Sequence, residues 1–257
     1  LILSDGSGAD SPLTALLDRL VREQKESGHP GVIRALHNGQ QLRISENTNA
    51  ALWAATGDFI VFADHDDELT PNALFECVKA INEKPQTLVI YTDEDKVSFD
   101  SATFFQPHFK PDFNPDLLRT NNYICHFLMV KRTLMEQAGK YRESFDGAQD
   151  YDFILRCSEL AQEIDHIPRV LYHWRCHPTS TAGNPESKMY AYEAGRRALE
   201  EHLKRTDVSA AVQCMDNPGF YRIKYPVKGD PKVSIVVLDP PDMSSMGRFA
   251  RALSRVE

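Results

Sequence analysis

With 257 residues the chain can bury one large domain, or one domain plus a piece of another. Its 29 basic and 37 acidic residues leave a formal charge of −8, which removes any global electrostatic reason to expect nucleic-acid binding. No apolar run approaches the roughly 20 residues needed to cross a bilayer, and the amino end lacks the basic and apolar regions of a signal peptide, so any membrane contact would be peripheral.

Leu1-Ile2-Leu3 reads as a strand that runs into the polar turn Ser4-Asp5-Gly6-Ser7-Gly8. Ser11-Pro12 opens a helix, with Ser as N-cap, Pro at the first helical position and Leu13, Leu16, Leu17, Leu20 and Val21 on one face. A second strand is expected over residues 32–37, then a short Ala-rich helix over 47–56 that stops at Gly57. Phe59-Ile60-Val61-Phe62-Ala63 follows and ends abruptly in Asp64-His65-Asp66-Asp67-Glu68. An uninterrupted apolar run of this kind suits a central strand buried on both faces of a parallel sheet, with its acids at the tip. The carboxyl ends of such strands border the ligand crevice. Closely spaced acids repel there unless something positive joins them, and a divalent metal is the obvious candidate.

Thr70-Pro71 starts the next helix, carrying Leu74, Phe75, Val78 and Ile81. Residues 87–91 form a strand that again ends in acids, Asp93, Glu94 and Asp95. Strand and helix units alternating through this half predict an α/β fold, a mostly parallel sheet with helices on both faces. Residues 97–122 are rich in Phe, Pro, Asp and Asn without periodicity, the texture of a functional loop. A weakly alternating strand over 123–130 and a short helix over 133–138 lead to Gln149-Asp150-Tyr151-Asp152, which begins a helix burying Phe153, Ile154 and Cys157. Acids in that first turn suit the helix dipole. A strand over 164–174 delivers His173, Arg175 and His177 into a loop at 178–183, and a long helix over 185–205 follows. Short strands are expected at 208–212 and 220–225, then a linker at 228–231, and residues 233–237 restart a buried-strand pattern. The five cysteines, Cys77, Cys125, Cys157, Cys176 and Cys214, are scattered and include no CxxC pair. That argues against a zinc site or a disulfide framework and suits a reducing cytoplasm.

Several segments together resemble one family. Ser4-Asp5-Gly6-Ser7, the stretch from Asn47-Thr48-Asn49 to Gly57-Asp58, the run from Asp64 to Leu69, Tyr91-Thr92-Asp93-Glu94-Asp95-Lys96, Gln149-Asp150-Tyr151-Asp152 and His173-Trp174-Arg175-Cys176-His177 look like a family 2 glycosyltransferase of the GT-A fold. The nearest subgroup is that of bacterial transferases acting on O-antigen and other surface polysaccharides, often described as rhamnosyltransferases. The resemblance covers about residues 1–225. It implies a Rossmann-like sheet, a nucleotide-diphosphate sugar as donor and a saccharide or lipid-linked saccharide as acceptor. It also implies inversion at the anomeric carbon and a cytoplasmic location, at the inner face of the membrane if membrane-associated. Independently of the family, the charge that grows on a departing diphosphate needs a hard cation held by carboxylates, magnesium or manganese.

On this reading Asp66 ligates the metal with help from His177, while Asp64 faces the ribose or reaches the metal through water. Asp5 lies against the nucleotide base, assisted by Asn49, and Arg175 returns to the diphosphate. Asp93 and Asp95 suit sugar or acceptor contacts. Asp150 is the candidate general base, although Gln149 stands where the family usually has Glu. Plainer readings exist for several of these: an ordinary Asp-Gly turn for Asp5, a helix cap for Asn49, a solvated turn paired with Lys96 for Asp93 and Asp95. An EF-hand is excluded, because no glycine or distal glutamate falls at loop spacing.

The family opens with a strand, a turn and a helix ahead of the Asp-Gly-Ser segment, and that opening strand is expected to be missing here. Residues 1–227 are accordingly read as a GT-A domain without its first strand and helix. Residues 228–257 are read as a linker and the start of a second transferase-like domain, the alternative being that strand 233–237 and helix 246–256 fill the vacant place. Asp239 to Asp242 departs from the expected turn and is given no nucleotide contact. Two other functions are weighed. A nucleotidyltransferase would need metal and nucleotide but no Asp150 base, and a sugar-nucleotide-binding module would need no catalysis.

Overall fold

The computed structural model describes residues 1–29, 31–177, 189–236 and 243–255. Its first unit, Leu1–Tyr225, contains in order β1 (Ile2–Asp5), α1 (Thr14–Glu26), β2 (Arg34–His37), α2 (Ile44–Ala54), β3 (Phe59–Phe62), β4 (Glu68–Leu69), α3 (Ala73–Glu83), β5 (Val89–Val97), β6 (Phe104–His108), α4 (Pro115–Leu118), β7 (Leu128–Lys131), α5 (Arg132–Ala138), α6 (Gln149–Leu160), β8 (Ile164–Arg175), α7 (Met189–Arg205), β9 (Ala211–Cys214) and β10 (Tyr221–Lys224).

Six strands form the main sheet in the order β3-β7-β5-β8-β4, with β6 added to β5. Strands β3, β5 and β8 run the same way, but β7 is inserted antiparallel between β3 and β5, and β4 and β6 are also antiparallel to their neighbours. The sheet is therefore mixed. Among the described residues β3 has only β7 as a partner, so the expected central strand is the end of the path. A separate parallel pair, β1-β2, and an antiparallel hairpin, β9-β10, complete the unit.

Period-two alternation fixes which side chains meet. On β5 and β7, Val89, Tyr91, Leu128 and Val130 face α5, α6 and α7, where Phe153, Leu155 and Leu199 close one core. Ile90 and Met129 face the other way, onto Ala73 and Cys77 of α3 and Leu171 and Tyr172 of β8. The helix after Ser11-Pro12 begins at Thr14, and Ser11 Oγ accepts the Leu13 amide at 3.2 Å.

Two strand boundaries differ from expectation for electrostatic and pairing reasons. β5 does not end at Tyr91 but continues to Val97, because its acids have partners across the sheet. Asp93 is 2% exposed and accepts from the Lys110 amide and faces His166 Nε2, each at 2.8 Å, and Asp95 meets His173 Nδ1 at 2.5 Å. Buried charges persist when they are paired and hydrogen-bonded. In the other case, residues 123–127 are an irregular loop and only Leu128–Lys131 pairs as a strand.

Among its described residues the second unit, Pro226–Glu257, holds one helix, α8 (Met243–Leu253). Residues 233–236 form no strand, and Val233 and Val236 are exposed. The loop expected at 178–183, the start of the following helix, residues 237–242 and Val256 lie outside the described residues.

Candidate active site

Two carboxylates and an imidazole meet just beyond β3. The Asp64 amide donates to the Tyr172 hydroxyl at 3.2 Å, and that hydroxyl donates to Asp67 Oδ2. The Arg175 amide donates to Asp67 Oδ1 at 2.8 Å. His126, from the loop before β7, lies flat on the Tyr172 ring, with centroids 4.8 Å apart and 7° between planes. Its Nε2 is 4.0 Å from Asp64 Oδ2. One ligand atom from each of Asp64, Asp67 and His126 lies within 4.8 Å of the other two. The two carboxylate oxygens suit a hard cation such as magnesium or manganese, and the imidazole nitrogen tilts the set away from magnesium. Burial pushes the Asp67 carboxyl above its ordinary range against the pull of the Tyr172 hydrogen bond. A cation would relieve that cost of charge.

The structure does not bring the expected ligands Asp66 and His177 into this group. Asp66 Oδ1 lies 3.8 Å from His65 Nδ1, and its carbonyl accepts from Arg175 Nε at 2.5 Å. The His177 ring meets Phe99 edge-on at 5.1 Å. Arg175 is likewise not left as a fork for a diphosphate. Its guanidinium pairs with Glu68 and donates to the Phe99 carbonyl and Ser101 Oγ, each at 2.8 Å, so it clamps the acidic turn to the loop after β5. Asp93 and Asp95 are spent inside the sheet, as described above, rather than presented to a sugar.

Asp150 stands in the first turn of α6. Its Oδ2 accepts from Asn122 Nδ2 at 2.8 Å and from the Cys125 thiol at 3.5 Å. Burial first, then the Asp150 charge, pushes the Cys125 thiol up. Burial also raises the Tyr141 phenol, with Asp150 and Asp64 both adding to it. One buried ring thus feels the base candidate and the acidic turn together. Asp152, read from sequence as a first-turn acid suited to the helix dipole, lies in α6 and is fully buried. It accepts from Arg142 Nε at 3.0 Å and pairs with Arg156 Nη2 at 2.9 Å, and Arg156 also holds the Gly139 and Lys140 carbonyls.

The short loop Asn122 to His126 therefore serves both halves. Lys110 fixes it from beneath: the ammonium, wholly buried, donates to the Ile124 carbonyl at 2.9 Å and to the His126 carbonyl, and pairs with Glu94 at 3.2 Å. Burial alone would raise the Glu94 carboxyl, but the His108 hydrogen bond and the Lys110 and His126 charges hold it below the ordinary range. A depressed carboxyl stabilises the fold above the unfolded value of 4.5 and loses that contribution as pH falls through the folded value. Glu94→Gln should therefore flatten the acid side of a plot of thermal midpoint against pH. An unchanged acid slope would show that Glu94 does not carry it.

At the far side, Asp5 ends β1 and is 5% exposed. Hydrogen bonds from Ser11 and Ser7 hold its carboxyl below the ordinary range against burial. A Cβ on Gly6 would sit 2.9 Å from the Asn47 side chain, so any larger residue would push that carboxamide off the Ser4 carbonyl. A groove of about 350 Å³ lined by Asn38, Gly39, Gln40 and Leu42 opens just past β2. Asn49 does not share this nucleotide side. It is buried in α2 and its carboxamide bonds the Tyr141 amide and carbonyl, each at 2.9 Å, tying α2 to the chain before α6.

Asn122, Cys125, His126 and Lys110 were not legible as site residues from sequence. The one available signal was a histidine two residues ahead of a strand, at the end of a long stretch without periodicity.

The family model described as Glycosyl transferase family 2 matches residues 1–139. The uncharacterized protein y4gI of Sinorhizobium fredii is 45% identical over 208 residues, covering 80% of this chain and 23% of that protein. O-antigen biosynthesis protein RfbC of Myxococcus xanthus is 40% identical over 245 residues, covering 95% of this chain and 18% of that protein. The chain thus spans about a fifth of the length of these curated relatives. The crystal structure of S. aureus TarS residues 1–349 matches with a TM-score of 0.56 at 16% identity, covering 79% of this chain and 55% of that one. The same protein in complex with UDP-GlcNAc matches with a TM-score of 0.56 at 17% identity, covering 76% and 55%.

Proposed function

Since the chain belongs to family 2 of the glycosyl transferases and has their GT-A fold, we propose that residues 1–225 move a sugar, with inversion, from a nucleotide-diphosphate donor to a saccharide acceptor in the assembly of a bacterial surface polysaccharide. The observation that carries this reading is the loop Asn122 to His126, which touches Asp150 at one end and joins the acidic turn at the other. In the reaction, the acceptor oxygen bonds to the anomeric carbon from the face opposite the diphosphate. The bond from that carbon to the phosphate oxygen breaks, and its electron pair leaves with the nucleotide diphosphate. The acceptor proton passes to the Asp150 carboxylate, oriented by Asn122. A divalent cation held by Asp64, Asp67 and His126 would offset the charge that grows on the leaving group.

Asp5 and the groove past β2 are read as the nucleotide side. A solved TarS complex with UDP-GlcNAc supports a nucleotide sugar as donor, and the description of the Myxococcus relative supports a saccharide acceptor, which we read as free or lipid-linked. We place the reaction on the cytoplasmic side; among the described residues no helix is long and apolar enough to cross a membrane. Pro226–Glu257 is read as the beginning of a further transferase-like unit.

Incubation with nucleotide sugars, manganese and polysaccharide acceptors tests the reading. The expected products are a free nucleoside diphosphate and a glycoside whose anomeric configuration, seen by NMR, is opposite to the donor's. Release of pyrophosphate would identify a nucleotidyltransferase instead. The metal assignment has its own test in calorimetry with manganese alone. Asp67→Asn and His126→Ala should each weaken binding by roughly tenfold or more, while Asp66→Asn leaves it near wild type. The opposite order would restore Asp66 as the ligand.

A further inference from the structure

A second concavity, unused by the chemistry above, lies between the end of α4 and the β9-β10 hairpin. It encloses about 510 Å³, within the roughly 300–1,000 Å³ typical of small-ligand sites. Its walls include Asp116, Thr120, Asn217, Phe220, Arg222 and Tyr225. The hairpin is fixed to the body of the domain. The Tyr221 amide donates to the Thr120 carbonyl at 2.8 Å, its hydroxyl donates to the Tyr192 carbonyl at 2.8 Å, and its ring stacks on Tyr151, the residue after Asp150.

Two aromatic rings remain open on this rigid frame: Phe220 is 48% exposed and Tyr225 51%. Tyr225 is oriented in advance, because its hydroxyl accepts from Arg119 Nη1 at 3.4 Å. Arg119 is itself anchored, to Asp116 at 3.2 Å and to His202 Nε2 at 3.2 Å.

We propose that this groove seats sugar units of the acceptor as it approaches Asp150. The electron-rich ring faces of Phe220 and Tyr225 suit the positive C–H face of a pyranose. Asp116, Asn217 and Arg222 supply the carboxylate, amide and guanidinium that hydroxyl groups bond best. Asp116 is paired with Arg119 and only Arg222 adds a further charge to the lining, too weak a field for a polyanion, so a neutral saccharide fits. The groove is also linked along the chain to the proposed reacting centre. Thr120 lines its wall, and Asn122, two residues on, holds Asp150. The direction of the acceptor rests on the reading of Asp150 as base, whereas saccharide binding in the groove does not.

The test is an array of bacterial surface polysaccharides probed with the purified chain. The wild type should retain at least one saccharide, and Phe220→Ala/Tyr225→Ala should lose roughly tenfold or more of that signal with manganese affinity and thermal midpoint unchanged. An array without wild-type signal, or one that the double variant still binds fully, overturns the groove. Asp150→Asn should keep its array binding and lose transfer. If Asp150→Asn transfers normally while the double variant has lost the saccharide, the base assignment falls and the groove stands.

Discussion

Asp150→Asn should lower the turnover number by roughly 10²–10⁴-fold with donor affinity near wild type, the range by which a positioned general base accelerates proton transfer. The substitution is nearly isosteric, and an amide oxygen can still accept from Asn122, so the first turn of α6 keeps its place. What disappears is the ability to take the acceptor proton. Each tenfold loss corresponds to about 1.4 kcal/mol of activation free energy, so the expected effect is about 3–5 kcal/mol on the chemical step alone. Steady-state transfer together with calorimetric donor binding separates the two quantities. Turnover within about threefold of wild type would remove Asp150 from the mechanism, because that is less than any direct proton-transfer role supplies.

Asp152→Asn should be the most destabilising single change near the site, by about 3–5 kcal/mol. Asp152 has no exposure and serves Arg142 and Arg156 together. Removing its charge leaves Arg156, 8% exposed, with carbonyl acceptors but no counter-ion. The loss comes mainly from that stranded guanidinium rather than from the pair's own worth, since a buried pair roughly breaks even against its desolvation. At about 2–4 °C per kcal/mol for a domain of this size, the thermal midpoint should fall by roughly 6–20 °C. A fall of under about 3 °C would mean that Arg142 and Arg156 find other partners. Because Asp152 lies two residues from Asp150, the variant also reports on how firmly the helix start must be held.

The elements with strong periodicity were legible in advance. The acidic turn after Phe62, the helix carrying Leu74 and Ile81 and the helix from Gln149 follow from spacing and turn residues alone. What sequence could not show was which distant group neutralises each polar side chain. Asn49 beside a helix start looks like a cap or a nucleotide contact, and only the fold puts Tyr141, 92 residues on, against its carboxamide. Asp93 and Asp95 look like a solvated strand end until β8 supplies His166 and His173 across the sheet. Arg175 looks free for a phosphate until the acidic turn and the loop after β5 close around it. His126 offers only its place ahead of a strand as a local signal, since its partners Asp64 and Tyr172 lie 62 residues before and 46 after it. Long-range pairing therefore decided the partners of the acidic turn, and local pattern decided the helix start that carries Asp150.

The segment from Asn122 to His126 also acts as a ruler. Four backbone steps can span at most about 14 Å, so the Cα atoms of Asn122, which grips Asp150, and His126, which joins the acidic turn, cannot separate further in any conformation. On the proposed reading, the two grips that flank the transferred sugar are therefore tied to each other by covalent chain as well as by packing.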